Sequence, residues 1–326
     1  MASLLDSFGQ AFTPDLLSQL GTSVGLDNNL VTKGLSTVGP LLIGSMARQA
    51  TTPGGLDGLM RFIPQDGGAG LSNIRGLLKS GAPMDLLTGI FGGPGLGAAG
   101  RTLDQSLGFR ASSLIGLAAP VVTALISRMR SAENLDTAGV GKALRDEQAS
   151  FMTTGGENAV LVETVLDASA EANLMRARYT DAQWLGIRLG PMAAAQVVMH
   201  AAPSGPIGAI KEAGAVARAV DDVRKTAVPA SLLGVAFDEN FTMEELNSLG
   251  GRKATKEQML GRIKEAVATV AERSETDAIA YRRFLTDVAM KVAEASKEGG
   301  FLGVGGTLVS DEEKVALREV EAAAGV

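Results

Sequence analysis

TPDLLSQLGTSVGLDNNLVTKGLSTVGPLLIGSMARQ, running from Thr13 to Gln49, decides the fold class. Thr13-Pro14 pairs a cap residue with a proline at the first helical position, where a missing N–H costs nothing. Leu16, Leu17, Leu20 and Val24 follow at helical spacing, and Gly25 stops the run. After Gly25-Leu26-Asp27, the residues Leu30, Leu35, Val38, Leu41, Leu42 and Met46 recur at helical intervals up to Gln49. Strand-type alternation is nearly absent from the whole chain, which predicts an all-α protein. Further along, Thr52-Pro53 reads as the start of another helix through Leu56, Leu59, Met60 and Phe62. The clusters Gly67–Gly70 and Gly92–Gly97 read as loops.

Composition narrows the function classes. A chain of 326 residues suggests two domains and needs no staples to bury a core. It contains no cysteine, so disulfides, thiolate metal sites and cysteine nucleophiles are excluded, and a reducing cytoplasm is the compartment expected. The opening MASLLDSFGQAF lacks the basic and long apolar regions of a signal peptide. Net charge is −6, with residues 1–150 neutral at 11 basic against 11 acidic and residues 151–326 acidic at 19 against 25. Neither half has the basic footprint that phosphate neutralisation requires, so no nucleic-acid partner is expected. With only 4% aromatics, the cores must be built from Ala, Leu, Val, Ile and Met, a composition suited to close-packed helices.

The opening stretch has an internal echo. Ser23-Val24-Gly25-Leu26 is matched by Ser106-Leu107-Gly108-Phe109, and Leu35–Met46, with Pro40 inside, by Ile115–Ile126, with Pro120 inside. Each unit reads as a helix, a glycine turn and a longer apolar helix containing a proline. The spacing from Gly to Pro is three residues shorter in the second. The order of these helices, prolines and glycine turns resembles the YidB-like family of bacterial proteins of unknown function, across roughly residues 4–148. The resemblance implies a compact helical array somewhat like a homeodomain and carries no catalytic residues. The neutral charge argues against the DNA binding that the homeodomain likeness would suggest.

Residues 180–325 resemble a second, uncharacterised bacterial helical family through Asp181-Ala-Gln-Trp184, the Pro203–Glu212 stretch, Tyr281-Arg-Arg-Phe284 and the tail VAEASKEGGFLGVGGTLVSDEEKVAL. The expected organisation is a helical domain at 1–150, a connecting helix within 151–179 from about Glu157 to Arg178, and a helical domain at 180–326. Start signals are frequent in this half. Thr180 precedes Asp181 and Gln183, and Thr242 with Glu245, Thr255 with Gln258 and Ser310 with Glu313 fit the reciprocal capping pattern. Helix 256–272 should bury Met259, Ile263, Val267 and Val270, and helix 275–297 should bury Ile279, Phe284, Val288 and Val292.

Chemical signals are sparse. His200 is the single histidine, so any Ser-His-Asp machinery would have to use it, with Ser204 as the nearby hydroxyl. It lies in Leu189–Ile210, a run without charge, and no nucleophile-elbow motif accompanies it. Pro191, Pro203, Gly205, Pro206 and Gly208 break that run, so two shorter buried helices are expected there rather than one membrane span, and Ala111–Ser127, 17 uncharged residues with Pro120 inside, lies at the short limit for a span. Asp238–Glu244 opens like a calcium loop, but Met243 occupies the position that needs glycine, and Leu249 the position that needs a bidentate Glu. Gly299–Gly306 lacks the lysine of a phosphate loop and runs into Asp311-Glu312-Glu313, which already answers the positive end of the next helix.

These readings converge on a non-enzymatic interaction or assembly protein that uses no cofactor and no metal. It would pair with further copies or another protein, and peripheral contact with a membrane surface is the alternative, ahead of an enzyme built on His200. The candidate contact or packing residues are Leu41, Leu42, Val121, Val122 and Leu125, with Phe301 and Leu302 as an apolar plug on the glycine arm. Pro203, Ser204, Gly205 and Pro206 form a candidate ligand turn.

Overall fold

Capping side chains set where the helices begin in the computed structural model, which describes residues 3–201, 205–250, 254–295 and 309–326, with backbone alone for 205–209. Helices occupy most of the described residues, and no strand occurs among them. The chain divides into two compact units, Met1–Asn173 and Leu174–Val326.

The first unit contains α1 (Leu4–Ala11), α2 (Pro14–Val24), α3 (Asn28–Gln49), α4 (Gly55–Met60), α5 (Ile74–Ser80), α6 (Met84–Phe91), α7 (Gly93–Leu107), α8 (Ile115–Glu133), α9 (Thr137–Thr154) and most of α10 (Gly156–Ala177). Asp27 caps α3 by accepting from the Leu30 amide at 2.9 Å. Gly25 closes α2 and Gly108 closes α7, both in the left-handed conformation, so the two glycines of the sequence echo do the same job. In α3 every residue from Thr37 to Ala47 is buried. A helix buried all round belongs at the centre of its core, and α3 packs against α1, α2, α6, α8 and α9.

Two expectations change here. Thr51 and Thr52 donate their hydroxyls to the Arg48 and Gln49 carbonyls, finishing α3 rather than starting a helix, and α4 begins only at Gly55. The expected loop Gly92–Gly97 is instead the entry to α7: after Gly92 turns the chain, Pro94 takes an early helical position and the helix runs on.

The second unit contains the end of α10, α11 (Asp181–Ala201), α12 (Gly205–Thr226), α13 (Leu232–Ala236), α14 (Met243–Asn247), α15 (Lys256–Ala271), α16 (Glu275–Ala295) and α17 (Asp311–Ala324). The three expected reciprocal caps form, at Thr242/Glu245, Thr255/Gln258 and Ser310/Glu313, and Thr180 with Gln183 makes a fourth. α11 packs against α12, α15, α16 and α17 and is the centre of this unit. On α15, Met259, Ile263, Val267 and Val270 are buried together. On α16 the expected face needs correction: Ile279 is 51% exposed, while Ala278, Tyr281, Phe284, Leu285, Val288 and Val292 are buried. Ile279 is five residues from Phe284, which places it roughly 140° off that stripe at 100° per residue.

Three core helices contain an interior proline, Pro40 in α3, Pro120 in α8 and Pro191 in α11. A proline lacks the N–H that would bond the carbonyl four residues earlier. Each freed carbonyl is claimed by a donor from elsewhere in its own unit. Ser36 O accepts from Asn158 Nδ2 at 2.9 Å, and the same amide's oxygen accepts from the Thr37 hydroxyl at 2.8 Å. Gly116 O accepts from the Ala82 amide at 2.7 Å, and Ile187 O accepts from the fully buried Tyr281 hydroxyl at 2.7 Å. The Tyr281 hydroxyl reaches the helix because residue 190 is glycine: a Cβ there would lie 2.0 Å from it. The Ile187 carbonyl is buried and must be satisfied, and each of the three prolines turns its helix into a docking point for another segment of its unit.

Candidate functional site

The first unit has an open groove of about 470 Å³ between α1, the start of α2, α3 and α9. Its construction follows from the sequence of α1. Ser3 and Asp6 cap that helix reciprocally, which fixes its entry. Phe8 and Phe12 then stack edge to face, with centroids 4.9 Å apart. Phe8 presses against α3 at Gly39, where a Cβ would lie 2.6 Å from its ring, so the glycine is what permits the approach. Pro40, next in α3, forms the floor with Phe8, Phe12, Leu17, Leu35 and Phe151. The rim is short and polar: Ser3, Gly9, Thr32, Ser36, Ser150 and Thr154.

Only two lining residues are charged, and both are acidic. Asp6 is exposed, with Oδ2 accepting from the Ser3 amide at 3.3 Å. Glu147, on α9, is half-buried and accepts from the Leu5 amide at 2.9 Å, tying α9 to the start of α1. Concave, mostly apolar sites of roughly 300–1,000 Å³ with a few placed polar groups are the usual form of a binding pocket.

The residues proposed from sequence fall elsewhere. Leu41, Leu42, Val121, Val122 and Leu125 are at most 3% exposed, enclosed by the first unit's own helices. They serve packing inside the unit, so a contact face with another molecule has to use other side chains. Phe301, Leu302, Pro203 and Ser204 lie outside the described residues, while Gly205 and Pro206 form the backbone of the first turn of α12. His200 is exposed in the last turn of α11, and its side chain makes no hydrogen bond or ion pair among the described residues.

The stretch that opens like a calcium loop is held by arginines. Arg188, 7% exposed, donates from Nε to Glu245 Oε1 at 2.6 Å and from Nη2 to Glu245 Oε2 and the Asn240 carbonyl, both at 3.1 Å. Its Nη1 bonds the Ala236 carbonyl, and its guanidinium lies 5.3 Å from the Phe241 ring centre. Arg224 adds bonds to the Phe237 carbonyl and the Asn240 side chain. The hydrogen bond from Arg188 is the largest influence holding the Glu245 carboxyl below its usual range. Among the described residues, no group of three or more His, Cys, Asp or Glu is placed to hold a metal ion.

The sequence reading missed the groove and this arginine latch. Phe8 and Phe12 at i, i+4 in a chain of 4% aromatics could have signalled the groove, as could Arg188, the last charge before an uncharged run, for the latch. Two helical segments are long and apolar enough to cross a bilayer, Asn28–Gln49 and Ala111–Glu133, and their most apolar windows are 78% and 67% buried within the structure.

The protein is by its architecture an all-α protein of two helical units, the first bearing an open apolar groove. Residues 6–129 match the model of a family described as a bacterial protein of unknown function (DUF937). That match takes in the α1, α2 and α3 walls of the groove and stops before α9, which supplies Glu147 and Phe151. No curated protein and no solved structure matches the chain.

Proposed function

We propose that this is a non-enzymatic interaction or assembly protein that receives an apolar segment of a protein partner in the groove of its first unit. The observation that carries the reading is the groove itself, with six apolar side chains on its floor and a rim of short polar residues that lets another backbone approach closely. The high burial of the two most apolar helices supports their role as core and favours this reading over membrane association. Self-association, through surface outside this groove, is a second form of such assembly. Light scattering of the purified protein across the micromolar range tests it: a mass that grows with concentration is expected, and a strict monomer would remove self-association. Replacing half-buried Leu17 by Glu places a charge on the groove floor. It should abolish partner capture from cells while leaving the helical content unchanged. Undiminished capture would show that the groove is not the contact surface.

A further inference from the structure

The lining of the first unit's groove and the charge of the chain together specify what the groove accepts. On α3 the lining residues Thr32, Leu35, Ser36 and Pro40 recur at helical spacing, and on α9 Glu147, Ser150, Phe151 and Thr154 do the same. The walls are therefore two helix ridges about two turns long, or about 11 Å at 1.5 Å per residue. Ridges of that kind take a third helix between them. The rim residue Gly9 leaves open space where a Cβ would stand, so a helix backbone can come close to α1. The only charges on the lining are the carboxylates of Asp6 and Glu147, and each has one oxygen that takes no hydrogen bond among the described residues. The chain as a whole carries −6, so a second copy brings net repulsion rather than the missing cations.

We infer that the groove's occupant is an amphipathic helical segment of a partner protein, apolar on one face and carrying Lys or Arg at the end that meets Asp6 and Glu147. This rests on the interaction reading above and adds the partner's chemistry. The apolar face fills the floor between Phe12, Leu35 and Phe151, and the cations pair with the two carboxylates at the rim. Long-range attraction between the acidic chain and a basic segment also speeds encounter.

The test uses three synthetic helical peptides with the same apolar face, flanked by Lys, Gln or Glu, titrated into the full-length protein by fluorescence anisotropy and by amide chemical shifts. The Lys peptide should bind about 5–10-fold more tightly than the Glu peptide, the size expected of two partly exposed ion pairs. That ratio should fall towards one in high salt. Shifts should centre on Gly9, Ser36 and Ser150. The double variant Asp6→Asn, Glu147→Gln keeps both cap acceptors and should bind the three peptides alike. Equal binding of all three to the wild-type groove overturns the cationic partner while leaving apolar docking standing. If no peptide perturbs the groove, both readings fall together, and shifts centred elsewhere reject this surface. Groove amides shielded by self-association would name a second copy as the occupant instead.

Discussion

Removing one oxygen atom from Tyr281 tests the proline argument directly. The Ile187 carbonyl has no helical donor because residue 191 is proline, and the Tyr281 hydroxyl is the described group that satisfies it, at 2.7 Å in a site with no solvent exposure. In Tyr281→Phe the ring and its packing remain, while the carbonyl is left buried and unpaired. The expected loss is about 1–3 kcal/mol, the desolvation cost of an orphaned acceptor. In a unit of this size that corresponds to a melting temperature lower by roughly 3–10 °C. Trp184, the only tryptophan, lies on α11, so urea unfolding followed by its fluorescence reports on this unit. The sharper measurement is a double-mutant cycle with Pro191→Ala, which returns a backbone N–H to the same carbonyl. In that background Tyr281→Phe should cost about 1 kcal/mol less, with the packing changes at 191 cancelling in the cycle. A cycle that closes with no coupling, or a Tyr281→Phe variant as stable as wild type, would refute the idea that the tyrosine replaces the missing helical donor.

The arginine latch gives a second prediction. Arg188→Met should destabilise the second unit by about 2–3 kcal/mol, because Glu245 and two carbonyls lose their donor, and Arg188→Lys should recover little since one ammonium cannot span the fork. Glu245 is held below its ordinary range when folded, so its stabilisation is present at neutral pH and is lost as pH falls through and below about 4.3. The stability difference between wild type and Glu245→Gln should therefore shrink on acidification, and a difference constant from pH 7 to 3 would contradict the pairing. At the other end of the scale, burial raises the Tyr281 phenol well above its usual value. The unfolded chain ionises this residue near pH 10 while the folded one does not, so stability should fall above about pH 10 by up to about 1.4 kcal/mol per unit. Tyr281→Phe should flatten that decline in an alkaline unfolding series, leaving the smaller contribution of Tyr179, which burial also shifts upward.

Local chemistry made the all-α class and most helix starts legible in the sequence. Thr242, Thr255 and Ser310 cap as their spacing to Glu245, Gln258 and Glu313 predicts, because a cap is settled within four residues. Helical periodicity likewise marks the buried stripe of α15, whereas on α16 the exposed Ile279 is as apolar as the stripe it does not join, because apolarity alone does not fix phase. Only the tertiary structure decided what the apolar runs face. Leu41, Leu42, Val121, Val122 and Leu125 would suit a core or a contact between copies equally well by composition, and they are core because α1, α6 and α9 cover α3 and its neighbours. The groove was invisible for the complementary reason: Phe12 comes from the turn after α1, Leu35 from α3 and Phe151 from α9, and no local pattern encodes their meeting. The prolines show the division most directly. Sequence places Pro40 and Pro120 inside helices, whereas Pro191, expected as a break, lies within the continuous α11, so three carbonyls lose their helical partners. Which groups replace them, up to 122 residues away, is a matter of which surfaces pack together, because a hydrogen bond between distant segments depends on their approach and leaves no local trace.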